Sequence, residues 1–157
     1  MQMKDYLIET FKFNDGANKK LLTKIKLMNN QDDAIKFFSH LINCQYKWMA
    51  RIIEDPGYEK MSWWEPVYDF NKLEEEWTKS LDIWINYISE RTDEELSKEV
   101  TFVGYDNSLW AATPQDIALQ LNYHSIHHRA QIQTLIRQQG LEPDFVDYIG
   151  TKYRRLG

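Results

Sequence analysis

At 157 residues, with 43% hydrophobic and 27% charged side chains, the chain has the length and composition of one globular domain with its own core. Its net charge of −5 argues against a general nucleic-acid partner, and its single cysteine, Cys44, excludes an intramolecular disulfide. No apolar run is long enough to cross a bilayer and the N-terminus has no signal-like apolar region, so no membrane role and a cytoplasmic address are expected.

Four long amphipathic segments follow one another. The first runs from about Asp5 to Met28 with Leu7, Phe11, Asn14, Asn18, Leu22 and Ile25 on one stripe, and Asn29-Asn30 stops it. The second, from about Asp32 to Glu54, carries Ala34, Phe38, Leu41, Trp48 and Ile52 and ends at Asp55-Pro56-Gly57. After an aromatic-rich crossover over 55–70, the third opens with Asn71 as cap and Glu74 closing a capping box. Leu73, Trp77, Leu81, Trp84 and Ile88 form its stripe. Thr92 and Glu95 make a second capping pattern for a short turn. Residues 100–111 alternate enough to predict two short strands around Asp106-Asn107. The fourth helix begins with Thr113 as cap and Pro114 at its first position, and Gly140 closes it. The pattern predicts an all-α chain: residues 1–157 as a single antiparallel four-helix bundle, with a two-stranded hairpin before the last long helix.

The fourth helix breaks its own pattern. Ile117, Leu121, Ile132 and Leu135 define the apolar stripe. At about 100° per residue His128 falls at its centre and His124 inside its edge, whereas His127 falls on the flank. Two histidines four residues apart on a core face can reach one metal ion. Left without partners, they would be costly to bury. His40, near the middle of the second helix, and Cys44, one turn on, are candidate companions, and periodicity alone does not choose His40 over His127. Cys44 reads equally as small core filler. Asn14 and Asn18, mid-way along the first helix, are expected at the same height, completing a polar layer. Gly16, inside that helix, is a candidate for opening space beside the layer.

Several stretches together resemble the DinB/YfiT-like family of four-helix metalloproteins. They are Phe13-Asn14…Ala17-Asn18-…-Leu21-Leu22, Ser39-His40-Leu41-Ile42 with Trp48, and Asn122-Tyr123-His124-Ser125-Ile126-His127-His128-Arg129-Ala130-Gln131-Ile132 continuing to Arg137-Gln138-Gln139-Gly140. The resemblance covers nearly the whole chain. It implies a divalent metal, zinc or nickel, held by His40, His124 and His128, with His127 outside the ligand set. It also implies a homodimer.

Three imidazoles without a fourth protein ligand leave an open coordination position, the arrangement of catalytic zinc. Relatives in the wider group use low-molecular-weight thiols, so the resemblance implies a metal-dependent enzyme of the thiol S-transferase kind, or a hydrolase, acting on a small molecule. The alternative is a non-catalytic metal-binding stress or interaction module. Glu9, Glu54, Glu65, Asp144 and Asp147 are acids that could approach a pocket, and spacing singles out none of them as a general base. Trp63 and Trp64 are candidates either for the wall of a cleft or for ordinary core and dimer contacts.

Overall fold

The computed structural model describes residues 1–157. Its order is α1 (Met3–Ile25), α2 (Asp32–Ile52), a 3-10 turn (Tyr58–Lys60), α3 (Phe70–Ser89), α4 (Asp93–Leu96), β1 (Val100–Val103), β2 (Leu109–Ala112), α5 (Pro114–Gln138) and a closing 3-10 turn (Tyr148–Thr151). The molecule is mostly helical with one small antiparallel sheet, and no helix is long and apolar enough to cross a membrane.

The boundaries follow local chemistry. Thr113 accepts from the Asp116 amide and Pro114 occupies the first turn of α5. At the other end Gly140 adopts φ 77°. Its N–H reaches the Arg137 carbonyl at 3.0 Å while Leu141 N–H reaches Ile136 at 3.3 Å. That pair of bonds needs a left-handed residue between them. Thr92 and Glu95 form the expected reciprocal capping box on α4. Asn71 does not cap α3. The helix starts earlier, with Asp69 in extended conformation before Phe70 and no side-chain cap at all. Tertiary packing supplies what the cap does not, since Leu73, Trp77, Trp84 and Ile88 are each 0% exposed.

The four long helices share one apolar core, and their stripes meet as the spacing predicts. Each of α1 and α2 packs on both α3 and α5. Two buried indoles tie α3 to both neighbours: Trp77 donates to Asp15 on α1 at 3.1 Å, and Trp84 to the Gln45 carbonyl on α2 at 2.9 Å. Burying these rings without their N–H partners would forfeit much of the gain.

The directions depart from simple antiparallel alternation. Along α1 and α5 the paired positions rise together, Asn14 with Asn122 and Asn18 with Ser125, so these helices are parallel. Phe38 meets Trp77 and Gln45 meets Trp84, so α2 and α3 are parallel as well. The chain therefore runs up, down, down, up, and residues 53–69 must return along the length of α2. The physical reason lies in α2 itself, whose side chains hold that returning strap. Tyr68 N–H donates to Ser39 Oγ at 3.0 Å, Asn43 donates to the Pro66 carbonyl at 3.1 Å, and Lys47 to the Met61 carbonyl.

The hairpin pairs Val100 with Ala112 and Val103 with Leu109, and packs on α2 through β1. Phe102 is its buried residue and meets Trp48 edge-on at 5.1 Å.

Gly16 lies away from the polar residues of the core. It lines a small surface cavity with Phe145, Val146 and Gly150 of the C-terminal segment, and a Cβ there would meet nothing within 4 Å. A helical glycine with free space costs stability relative to alanine, so Gly16→Ala should stabilise the fold by about 0.5–1 kcal/mol. Thermal melting should show a rise of roughly 2–4 °C per kcal/mol for a chain of this size; a fall would mean the glycine backbone itself is needed.

Candidate metal centre

His124 and His128 sit four residues apart on the face of α5 that meets α2, and His40 faces them from α2. The three Nε2 atoms converge. His40 Nε2 lies 3.2 Å and His128 Nε2 2.9 Å from His124 Nε2. Nitrogens bound about 2.05 Å from one tetrahedral ion stand roughly 3.3 Å apart, so the spacing is close to that of a ligand set.

The outer ring nitrogens decide the tautomers. His40 Nδ1 is 2.7 Å from the carbonyl oxygen of Trp63, which can only accept. His128 Nδ1 is 2.6 Å from Gln131 Oε1, likewise an acceptor. Both Nδ1 atoms therefore carry the proton, and both Nε2 atoms point a lone pair inward. A single N–H on His124 cannot serve both well, so the centre holds more lone pairs than protons. A divalent cation is the chemical complement of that excess.

Aromatic rings fix the imidazole planes. Trp64 stacks on His40 with centroids 3.8 Å apart and planes 10° from parallel. Phe37 stacks on His128 at 5.3 Å. Trp64 is thus a cover for the histidines, whereas the neighbouring Trp63 lines a cavity of about 230 Å³ beside them. His40, Cys44, Trp48, Gln120, Leu121 and His124 complete that cavity. His127 is exposed, its ring 4.9 Å from that of His128 and outside the convergence.

Cys44 belongs to a second, overlapping donor group. His40, Cys44 and His124 offer ligand atoms all within 4.8 Å of one another and could hold a metal ion. The chemistry of the sulfur is less favourable than its position. Cys44 Sγ is 3.7 Å from both ring nitrogens of His40, so it lies against the carbon between them rather than along either lone pair. Burial pushes its thiol up to about 12, only partly opposed by Lys47, and a metal ligand must be thiolate.

Asn14 and Asn18 do not join the histidines. Their amide nitrogens donate to Asn122 Oδ1 and Ser125 Oγ, each at 2.8 Å, and their oxygens both accept from Arg129 Nη1 at 2.9 Å. They form a separate polar cluster between α1 and α5. The expectation of one shared layer fails because neighbouring residues of a helix point about 100° apart, sending Arg129 toward α1 and His128 toward α2. The proposed acids are elsewhere or otherwise engaged: Glu9 takes the Tyr148 hydroxyl and the Lys152 ammonium, and Asp144 pairs with Lys24. Glu65 binds the Val67 amide. Sequence reasoning missed the two acceptors that orient the rings. Gln131, one turn after His128, carried a readable signal in its i+3 spacing; the Trp63 carbonyl carried none, because every residue has one.

The DinB family model matches residues 3–155. The chain belongs to the DinB family. A search of curated proteins gives no match. Within this DinB-family chain, three elements supply the centre: α2 brings His40 and Cys44, α5 brings His124 and His128, and the strap brings Trp63 and Trp64.

Burial lowers the pKa of all three converging histidines, and His124 is brought to about 4, with His128 and His40 adding to the effect. The rings are therefore neutral and ligand-ready at neutral pH. In the metal-free protein, the unfolded chain takes up a proton on His124 below about 6.5 while the folded chain does not until about 4, and the lowered pKa values of His40 and His128 act in the same direction. Stability should therefore be full above that window and fall as pH drops through it. Chelator-treated protein melted from pH 7 to pH 4 should show this slope, and His124→Gln should flatten it. An unchanged slope in the variant would remove His124 as its source.

Proposed function

We propose that this DinB-family protein binds one divalent metal ion through His40, His124 and His128. On this reading the four long helices form the family's four-helix bundle, and the ion supports catalysis on a small molecule. The observation that carries the reading is the convergence of three Nε2 atoms while the two outer Nδ1 atoms are held by acceptors. The donor set is neutral imidazole, which suits zinc or nickel, and on this reading Cys44 is not a ligand.

Three protein ligands leave a coordination position free. When bound, such an ion lowers the pKa of water or of a thiol toward neutrality. The residues of this chain set the surroundings. Trp64 and Phe37 shield two rings from water, and the Trp63 carbonyl and Gln131 keep the inner nitrogens unprotonated. Cys44, Trp48, Trp63, Gln120 and Leu121 form a cavity beside His40 and His124 where a small molecule fits. No carboxylate lines that cavity, which favours chemistry needing a metal-activated nucleophile without a protein acid beside it. A thiol S-transferase meets that description with a low-molecular-weight thiol as co-substrate; a hydrolase meets it with water.

Metal analysis of untagged protein should give about one equivalent per chain. Removing the acceptor in Gln131→Leu should weaken metal binding by roughly 10–100-fold, and His40→Ala, His124→Ala or His128→Ala by more. Cys44→Ser should leave the affinity unchanged; a loss comparable to the histidine variants would move the centre to the His40–Cys44–His124 group. Cobalt-substituted protein titrated with a low-molecular-weight thiol should change its visible spectrum. A silent spectrum across several thiols, with chelation lowering the melting temperature, would leave a non-catalytic metal module in its place.

A further inference from the structure

A cavity larger than the one at the histidines lies further along α2. It measures about 740 Å³ and lies between α2, the strap and the hairpin. Trp48 and Trp63 wall both it and the histidine cavity. Two cations line it one turn apart on α2, Lys47 at 8% and Arg51 at 7% exposure. Neither has an acidic partner, since every ion pair of the chain involves other residues. The one acid of the lining, Glu59, is exposed.

Each cation has neutral partners only. Lys47 donates to the Met61 carbonyl, and Arg51 Nη2 to the Val103 carbonyl at 3.2 Å. Arg51 Nε is buried with no partner at all, the only such side-chain atom in the chain. Rings provide the rest. The guanidinium carbon lies 4.7 Å from the Trp48 and Phe102 centroids and 5.0 Å from Trp63, and Lys47 Nζ is 4.6 Å from Trp63. Cation–π contacts offset part of the loss of water but add no negative charge. Two like charges at i, i+4 also repel one another. Burial lowers the pKa of both groups, and for Lys47 the charge of Arg51 adds to it. A pair of cations in this state is a poor way to stabilise an empty cavity and a good way to fill one with an anion.

We propose that this cavity binds a small molecule with an oxyanion head, carboxylate or phosphate, on a flat apolar body. Lys47 and Arg51 take the head, and the rings of Trp63, Phe102 and Trp110 hold the body. The volume lies within the range of small-molecule sites, and apolar walls with a few converging polar groups are their usual lining. Arginine and lysine both suit either head group. The proposal does not rest on the metal, so its test uses chelator-treated protein.

The test is a titration followed by tryptophan fluorescence or calorimetry with three probes: 3-phenylpropionate, phenyl phosphate and the neutral 3-phenylpropionamide. At least one anion should bind about tenfold or more tighter than the amide, a difference typical of a charge-assisted contact. Which anion binds better assigns the head group. Lys47→Met should remove that preference while leaving amide binding and the circular dichroism spectrum unchanged, and Arg51→Gln provides a second variant should the first fail to fold. Equal binding of acid and amide, no binding of any probe to the folded wild-type protein, or full acid affinity in a folded variant would each overturn the proposal.

Discussion

The architecture depends on how α5 is rotated about its own axis, and a buried guanidinium sets that rotation. Arg129 is 4% exposed and has no carboxylate beside it. Burial lowers its pKa to about 10, which still leaves it charged at neutral pH. A charge so placed tolerates only one environment, and Asn14 and Asn18 supply it with two amide oxygens while Phe13 offers its ring face at 5.3 Å. The amides are in turn held by Asn122 and Ser125 on α5. Turning α5 by even part of a residue step would strand the cation. With Arg129 anchored toward α1, His124 and His128 have to face α2.

On that opposite side, α2 does two jobs with one face. Its outer residues Ser39, His40, Asn43 and Lys47 hold the strap through backbone groups at Tyr68, Trp63, Pro66 and Met61. The same spacing places a metal-type ligand near one end of the face and two unpaired cations near the other. Four backbone groups of the strap are satisfied this way, which fastens a long connection to α2 along its length. The hairpin then closes the cationic end, with Phe102 packed on Trp48 and Val103 bound to both Arg51 and the Tyr58 hydroxyl.

Much of this was legible in the residues alone. Apolar stripes identified the four long helices because each has a single buried face, and the Thr113-Pro114 and Thr92–Glu95 caps are local signals that tertiary packing did not override. The histidine pair was legible for the same reason: two polar groups in register on an apolar face contradict the pattern that surrounds them. Helix direction was not legible, because stripes are indifferent to which end is up and only the strap decides. Asn14 and Asn18 were rightly read as buried polar residues but assigned to the wrong neighbour, since periodicity reports a face and not what lies across it. Lys47 and Arg51 went unread because basic residues on a helix are ordinarily solvated, and they are covered by the strap and the hairpin, which lie later in the sequence.

Trp63 serves the two cavities with different parts of itself. Its carbonyl holds His40, while its ring stands over Lys47 and near Arg51 and forms a wall of both spaces. The first contribution is independent of residue identity and the second depends on it entirely. Substitution at this one position can therefore reshape what the cavities admit while the imidazole keeps its proton where a ligand needs it. The cavity wall and the hold on His40 are in that sense separately inheritable, and a lineage can reshape both spaces here without disturbing the imidazole.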